Sequence, residues 1–133
     1  MPVQLNEKQK VFLKQYTSLL QEVQESAVYA GECYIQGDDD IADRLLASVS
    51  TGLIPYNPEN MTMFSIFGSE KSALNRLTIF HHAVTEAAAI TEKEWTTAEK
   101  MQFLHEQFIP ALKTWQDTAA LYSTSGDDTD AGH

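Results

Sequence analysis

Residues 6–36, NEKQKVFLKQYTSLLQEVQESAVYAGECYIQ, place Phe12, Tyr16, Leu19, Val23, Ala27, Ala30 and Tyr34 at successive spacings of 4, 3, 4, 4, 3 and 4. That is the apolar stripe of one long helix. Asn6 suits an N-cap, Glu7 the positive end of the dipole, and Gly37 a C-terminal stop. At 1.5 Å per residue, roughly 30 residues make a helix about 45 Å long.

Outward from it, Asp38, Asp39 and Asp40 form a helix N-terminus, one as cap, and a short second helix is predicted over 39–51 through Ile41, Ala42, Leu45, Leu46 and Val49. Gly52, Pro55, Asn57 and Pro58 break the periodicity. The stretch 53–68 carries one charge, Glu59, and is too apolar for a solvated linker; 61–67 reads equally as a helical turn or two or as extended chain. A third helix runs from a cap at Ser69 to near Thr91, with Ala73, Leu77, Val84 and Ala88 close to one direction, flanked by Leu74, Phe80 and His81. Thr96 and Glu99 have capping-box spacing ahead of a fourth helix, in which Met101, Leu104, Phe108, Leu112, Trp115, Ala119 and Tyr122 repeat at 3 and 4. Pro110 falls inside it and is expected to kink it. The pattern predicts an all-α fold: an antiparallel four-helix bundle with a long apolar connector between helices two and three and a kinked last helix. One domain is expected over 1–123, followed by a disordered acidic tail over 124–133.

Composition agrees with a single globular domain, since 43% of the 133 residues are hydrophobic. With 19 acidic and 9 basic residues the formal charge is −10, which disfavours nucleic acid and anionic membrane as partners. A single cysteine, Cys33, cannot form an internal disulfide. Together with a start that has no apolar signal region, it indicates the cytoplasm.

Catalytic motifs are missing from the sequence. Gly-x-Ser-x-Gly, a phosphate-cradling glycine loop, Cys-x-x-Cys and His-Glu-x-x-His do not occur. A di-iron bundle site needs Glu three residues before His, but Thr78, Ile79 and Gln102 precede His81, His82 and His105. His81 and His105 both flank apolar faces and are the candidates for a shared metal. His82 and Glu86 read as an exposed pair one turn apart. The aspartates at 38–40 and 43 do not make an EF-hand, because its sixth and twelfth positions hold Asp43 and Val49. No cofactor is expected.

Surplus apolar residues are the more informative feature. Phe103 lies about 140° and Ile109 about 100° from the axis of the fourth helix, and Val28, Tyr29 and Ile35 about 120° to 140° from the stripe of the first. Either neighbouring helices cover Val28, Tyr29 and Ile35 and the connector covers Phe103, or these residues form a contact patch. On the second reading the chain is a binding module of adaptor, chaperone or inhibitor type. Its partner is another protein or a second copy, and its candidate contact residues are Tyr29, Met63, Phe64, Phe67, Phe103 and Ile109. The competing reading is a helical-bundle enzyme or metal-binding protein that uses His81 and His105.

Overall fold

The computed structural model describes residues 5–131, with side chains to 123; of the tail expected to be disordered, 124–131 continue the last helix and 132–133 lie outside the described residues. The fold is all-helical, and no strand forms among the described residues. In chain order it comprises α1 (Glu7–Ile35), α2 (Asp39–Thr51), α3 (Met61–Phe67), α4 (Lys71–Ala88), α5 (Thr97–Phe103) and α6 (Ile109–Ala131). A 3₁₀ turn at Ile90–Glu92 follows α4, and a π turn at Leu104–Phe108 joins α5 to α6.

Local chemistry accounts for most of the ends. At the start of α1, Asn6 Oδ1 accepts from the Gln9 amide at 2.8 Å while Gln9 Oε1 accepts from the Asn6 amide at 2.9 Å. Its far end closes on Gly37 at φ 86°, with the Gly37 amide bonded to the Tyr34 carbonyl and the Asp38 amide to that of Cys33. This Schellman closure needs a residue free of Cβ strain in the left-handed region, and it turns the chain sharply into α2. Thr96 and Glu99 form the predicted capping box of α5. Two caps differ from expectation: Asp38 precedes α2 and Glu70, not Ser69, precedes α4, and neither side chain bonds the helix. The predicted third helix also ends early, at Ala88, and gives way to the 3₁₀ turn.

α1 and α4 each pack against both α2 and α6, enclosing the core. On α1 the buried stripe includes Leu13 and Leu20, with Phe12 and Leu19 at its margin. One end of the core is aromatic: Trp115 Nε1 donates to the Tyr16 hydroxyl at 2.8 Å, and the Phe67 ring lies 4.8 Å edge-on from both Trp115 and Tyr122. Burial pushes the Tyr16 hydroxyl well above its ordinary pKa, so it stays protonated as the acceptor for Trp115.

The segment 61–67 is the helix α3, started by Asn60, whose side chain accepts from the Met63 amide at 3.0 Å. Being amphipathic, it buries Met63, Ile66 and Phe67 and leaves Met61 and Phe64 outside. Met63 and Phe67 are therefore core residues and not the contact residues their apolar character suggested. Phe103 is also buried, at 3% exposure, and Trp95 lies over it with ring centroids 5.5 Å apart. That cover comes from the link ahead of α5. The physical reason is the π turn, which inserts one residue into the helical phase: the Ile109 amide bonds the Leu104 carbonyl five residues back. Residues before the turn are thereby rotated about 100° relative to a continuous helix, bringing Phe103 to within 6.3 Å of Phe108 by ring centroid.

Candidate functional site

The π turn ends at Phe108, two residues before Pro110, whose ring in a regular helix would crowd the carbonyl four residues earlier. Between this irregular segment and α4 lies an open, mostly apolar groove of about 400 Å³. Its walls are Ile79 and Ala83 on α4, and Pro110 and Ala111 opposite. Arg76, His82 and Glu106 stand at its rim with Gln107 and Thr114. Arg76 is steadied by a 3.2 Å bond from its Nη1 to Thr118 Oγ1. Ile79 is 63% exposed beside this concavity. The arrangement can receive an apolar side chain, with charges of both signs to orient its flanks. A second groove of about 460 Å³, between α1 and α6, is lined by Thr17, Gln21, Gln24, Lys113, Gln116 and Asp117 and has the polar character of solvated helix surface.

A polar junction ties α1, α2 and α5 together. The Tyr34 hydroxyl donates to Asp43 at 2.6 Å, and Lys100 Nζ lies 2.7 Å from the other Asp43 oxygen. Asp39 accepts from the Thr97 hydroxyl. Burial, then the Asp43 bond and the charges of Asp43 and Asp39, raise the Tyr34 hydroxyl pKa, so it remains a donor. Every member has a partner, so the group reads as an internal brace. Asp40 pairs with Arg44 at 2.5 Å. The aspartate run thus serves tertiary and helix-surface pairing more than capping.

The two histidines singled out by sequence are engaged with different elements. His81 Nε2 donates to the Ile54 carbonyl at 2.8 Å, pinning the connector to α4. The His105 ring sits over Gly31 of α1, where a Cβ would meet its Cε1 at 3.3 Å. Among the described residues no group of three or more His, Cys, Asp or Glu side chains is placed to hold a metal ion. Glu86 pairs with Lys93 at 3.2 Å and not with His82, which lines the groove instead. Cys33 is buried.

Of the remaining contact candidates, Tyr29 is 55% exposed, Phe64 is exposed, and Ile109 is half-buried against the core. Val28 and Ile35 are exposed with Tyr29, so neither α2 nor the last helix covers them. Sequence reasoning missed Ile79. At 100° per residue it stands about 200° round from Leu77, the same angular signal that drew attention to Phe103.

Fold and site define a helical domain with apolar surface features, in which no helix of the described residues is long and apolar enough to cross a membrane. The chain belongs to the family described as Domain of unknown function (DUF8042), whose model matches residues 11–118. No curated protein and no solved structure matches it.

Proposed function

We propose that the domain works by binding another protein, as a small cytoplasmic module of adaptor, chaperone or inhibitor type, and that the groove between α4 and the last helix is its contact surface. The observation that carries this reading is Ile79, exposed at the edge of an apolar concavity whose rim holds Arg76 and Glu106. Exposed apolar surface with a polar border is the usual form of a protein contact. The framework of the proposal is an antiparallel four-helix bundle, with the 53–68 connector closed over one end and the last helix bent near Pro110. The ring of Phe64 is a separate exposed aromatic on that connector. A charge of −10 favours a protein partner over nucleic acid or anionic membrane. A lone buried thiol fits a reducing compartment.

Photo-crosslinking tests the proposal directly. A benzophenone side chain in place of Ile79, in the full chain within its native cell, should give a discrete adduct with another protein. The same group in place of Thr85, exposed elsewhere on α4, should not. Adducts at neither position, or adducts equally at both, would remove the groove as the contact surface. An adduct only with a second copy would make it a self-association surface.

A further inference from the structure

We propose that the outward face of α1 over residues 22–35 is a second docking surface, distinct from the groove, and that it takes a basic amphipathic helix of another protein. At 100° per residue Glu22, Glu25, Val28, Tyr29, Glu32 and Ile35 fall within about 140° of one another, opposite the stripe that enters the core. All six are exposed, with Val28 at 49% and Ile35 at 70%. The strip is about 20 Å long at 1.5 Å per residue. Carboxylates alternate along it with apolar side chains.

Charge decides the occupant. From residue 15 to residue 43 the sequence holds seven acidic residues and no Lys or Arg. Those of α2 at 39, 40 and 43 are bonded to Thr97, Arg44, Tyr34 and Lys100. The three glutamates of the α1 strip have no ion pair among the described residues, and only Glu25 receives a side-chain bond, from Gln21 at 3.4 Å. An apolar strip flanked by uncompensated carboxylates is complementary to a helix carrying Lys or Arg beside leucine-like residues at i, i+3 and i+4. A second copy fits less well. Symmetric pairing centred on the patch sets Glu25 against Glu32, and a slip that sets Glu32 against Lys14 places Val28 and Tyr29 against the polar Ser18 and Thr17.

The probe is a fluorescent peptide of about 18 residues, long enough to span the strip, made of lysine with leucine at i, i+3, i+4 and i+7. Anisotropy titration of the full chain should show saturable binding. Tyr29→Ala and the pair Glu25→Lys with Glu32→Lys should each weaken it by about tenfold or more, the size of an interface anchor. The control pair Glu59→Lys with Glu94→Lys changes net charge equally on exposed positions elsewhere, and it and Ile79→Arg in the groove should leave binding within about twofold. Absence of saturable binding would overturn the proposal, as would equal loss in both charge pairs or equal affinity for a scrambled peptide. So would a dimer of the unaltered chain that Tyr29→Ala dissociates in light scattering. Unchanged circular dichroism of the variants separates loss of the surface from loss of the fold.

Discussion

From Phe108 onward, Leu112, Trp115 and Ala119 follow at spacings of 4, 3 and 4 and all are fully buried, as one helical face should be. Ahead of Phe108 the same long helix buries Phe103 and Leu104 together, although an unbroken α-helix in the phase of Phe108, Leu112 and Trp115 would point Phe103 about 140° away. The first half of the comparison is held by periodicity alone. The second is held by a change of helical phase, by Trp95 laid over Phe103, and by Lys100 fixed on Asp43. Burial at a position thus follows from the local helical pitch as well as from the residue's place in a repeat.

Truncating a large side chain in each half is the strongest way to test that equivalence. Trp115→Ala should destabilise the fold by about 3 to 5 kcal/mol, because it empties the aromatic end and removes the donor to Tyr16. Phe103→Ala should cost roughly 3 kcal/mol by the same mechanism. Urea unfolding measures both. A loss of under about 1 kcal/mol at Phe103 would mean that its burial against Trp95 is not a packed contact. Light scattering of Phe103→Ala should show no change of assembly, since the ring is already covered within one chain.

The brace around Asp43 belongs only to the irregular half and should give a smaller effect. Lys100→Ala leaves a largely buried carboxylate with the Tyr34 hydroxyl as its one remaining donor, and should cost about 2 kcal/mol, the scale of a charge-assisted bond. No loss would show that solvent replaces the ammonium group. Alkaline unfolding examines the same brace from the other side. The unfolded chain releases its tyrosine protons near pH 10, whereas Tyr34 and Tyr16 hold theirs to higher pH when folded. The folded state then binds more protons, so stability is level below pH 10 and falls above it, by about 1.4 kcal/mol per pH unit for each hydroxyl. Tyr34→Phe should make that decline less steep. An unchanged slope would remove Tyr34 as a contributor.

Much of this fold was legible before any coordinates. α2 occupies the range read from Asp39, Leu45, Leu46 and Val49, and the Asn6 and Thr96 caps stand where their spacing put them. Periodicity and capping are local, so a sequence displays them directly. The orientation of Phe103 was not legible, because angular arithmetic assumes a constant 3.6 residues per turn and a π turn violates it. Met63 and Phe67 were misjudged because an apolar connector looks the same whether it packs inward or faces out until its helix is placed against Trp115 and Tyr122. The groove depends on α4 meeting the π turn, a tertiary relation. Its one sequence trace was Ile79 on the polar side of its helix.

The smallest expected effect is also the most discriminating, because it asks what causes the π turn. Two causes are available: Pro110, which cannot continue a regular helix comfortably, and one surplus residue between Phe103 and Phe108. Deleting the exposed Gln107 would ordinarily rotate everything before it by about 100° and ruin the core. Here it should bring Phe103 to four residues before Phe108, the spacing of a regular helix, and so keep both rings inside. The cost is that Pro110 then stands in unbroken helix, at about 3 kcal/mol. The deletion combined with Pro110→Ala should therefore sit within about 1 kcal/mol of the original stability, and Pro110→Ala alone should likewise change it little, because the widened turn already accommodates the ring. If Pro110→Ala alone instead stabilises by the full 3 kcal/mol or so, the proline was straining the helix and the turn is its consequence. If the double variant unfolds, the extra residue is not what the turn absorbs, and Phe103 reaches the core by another route.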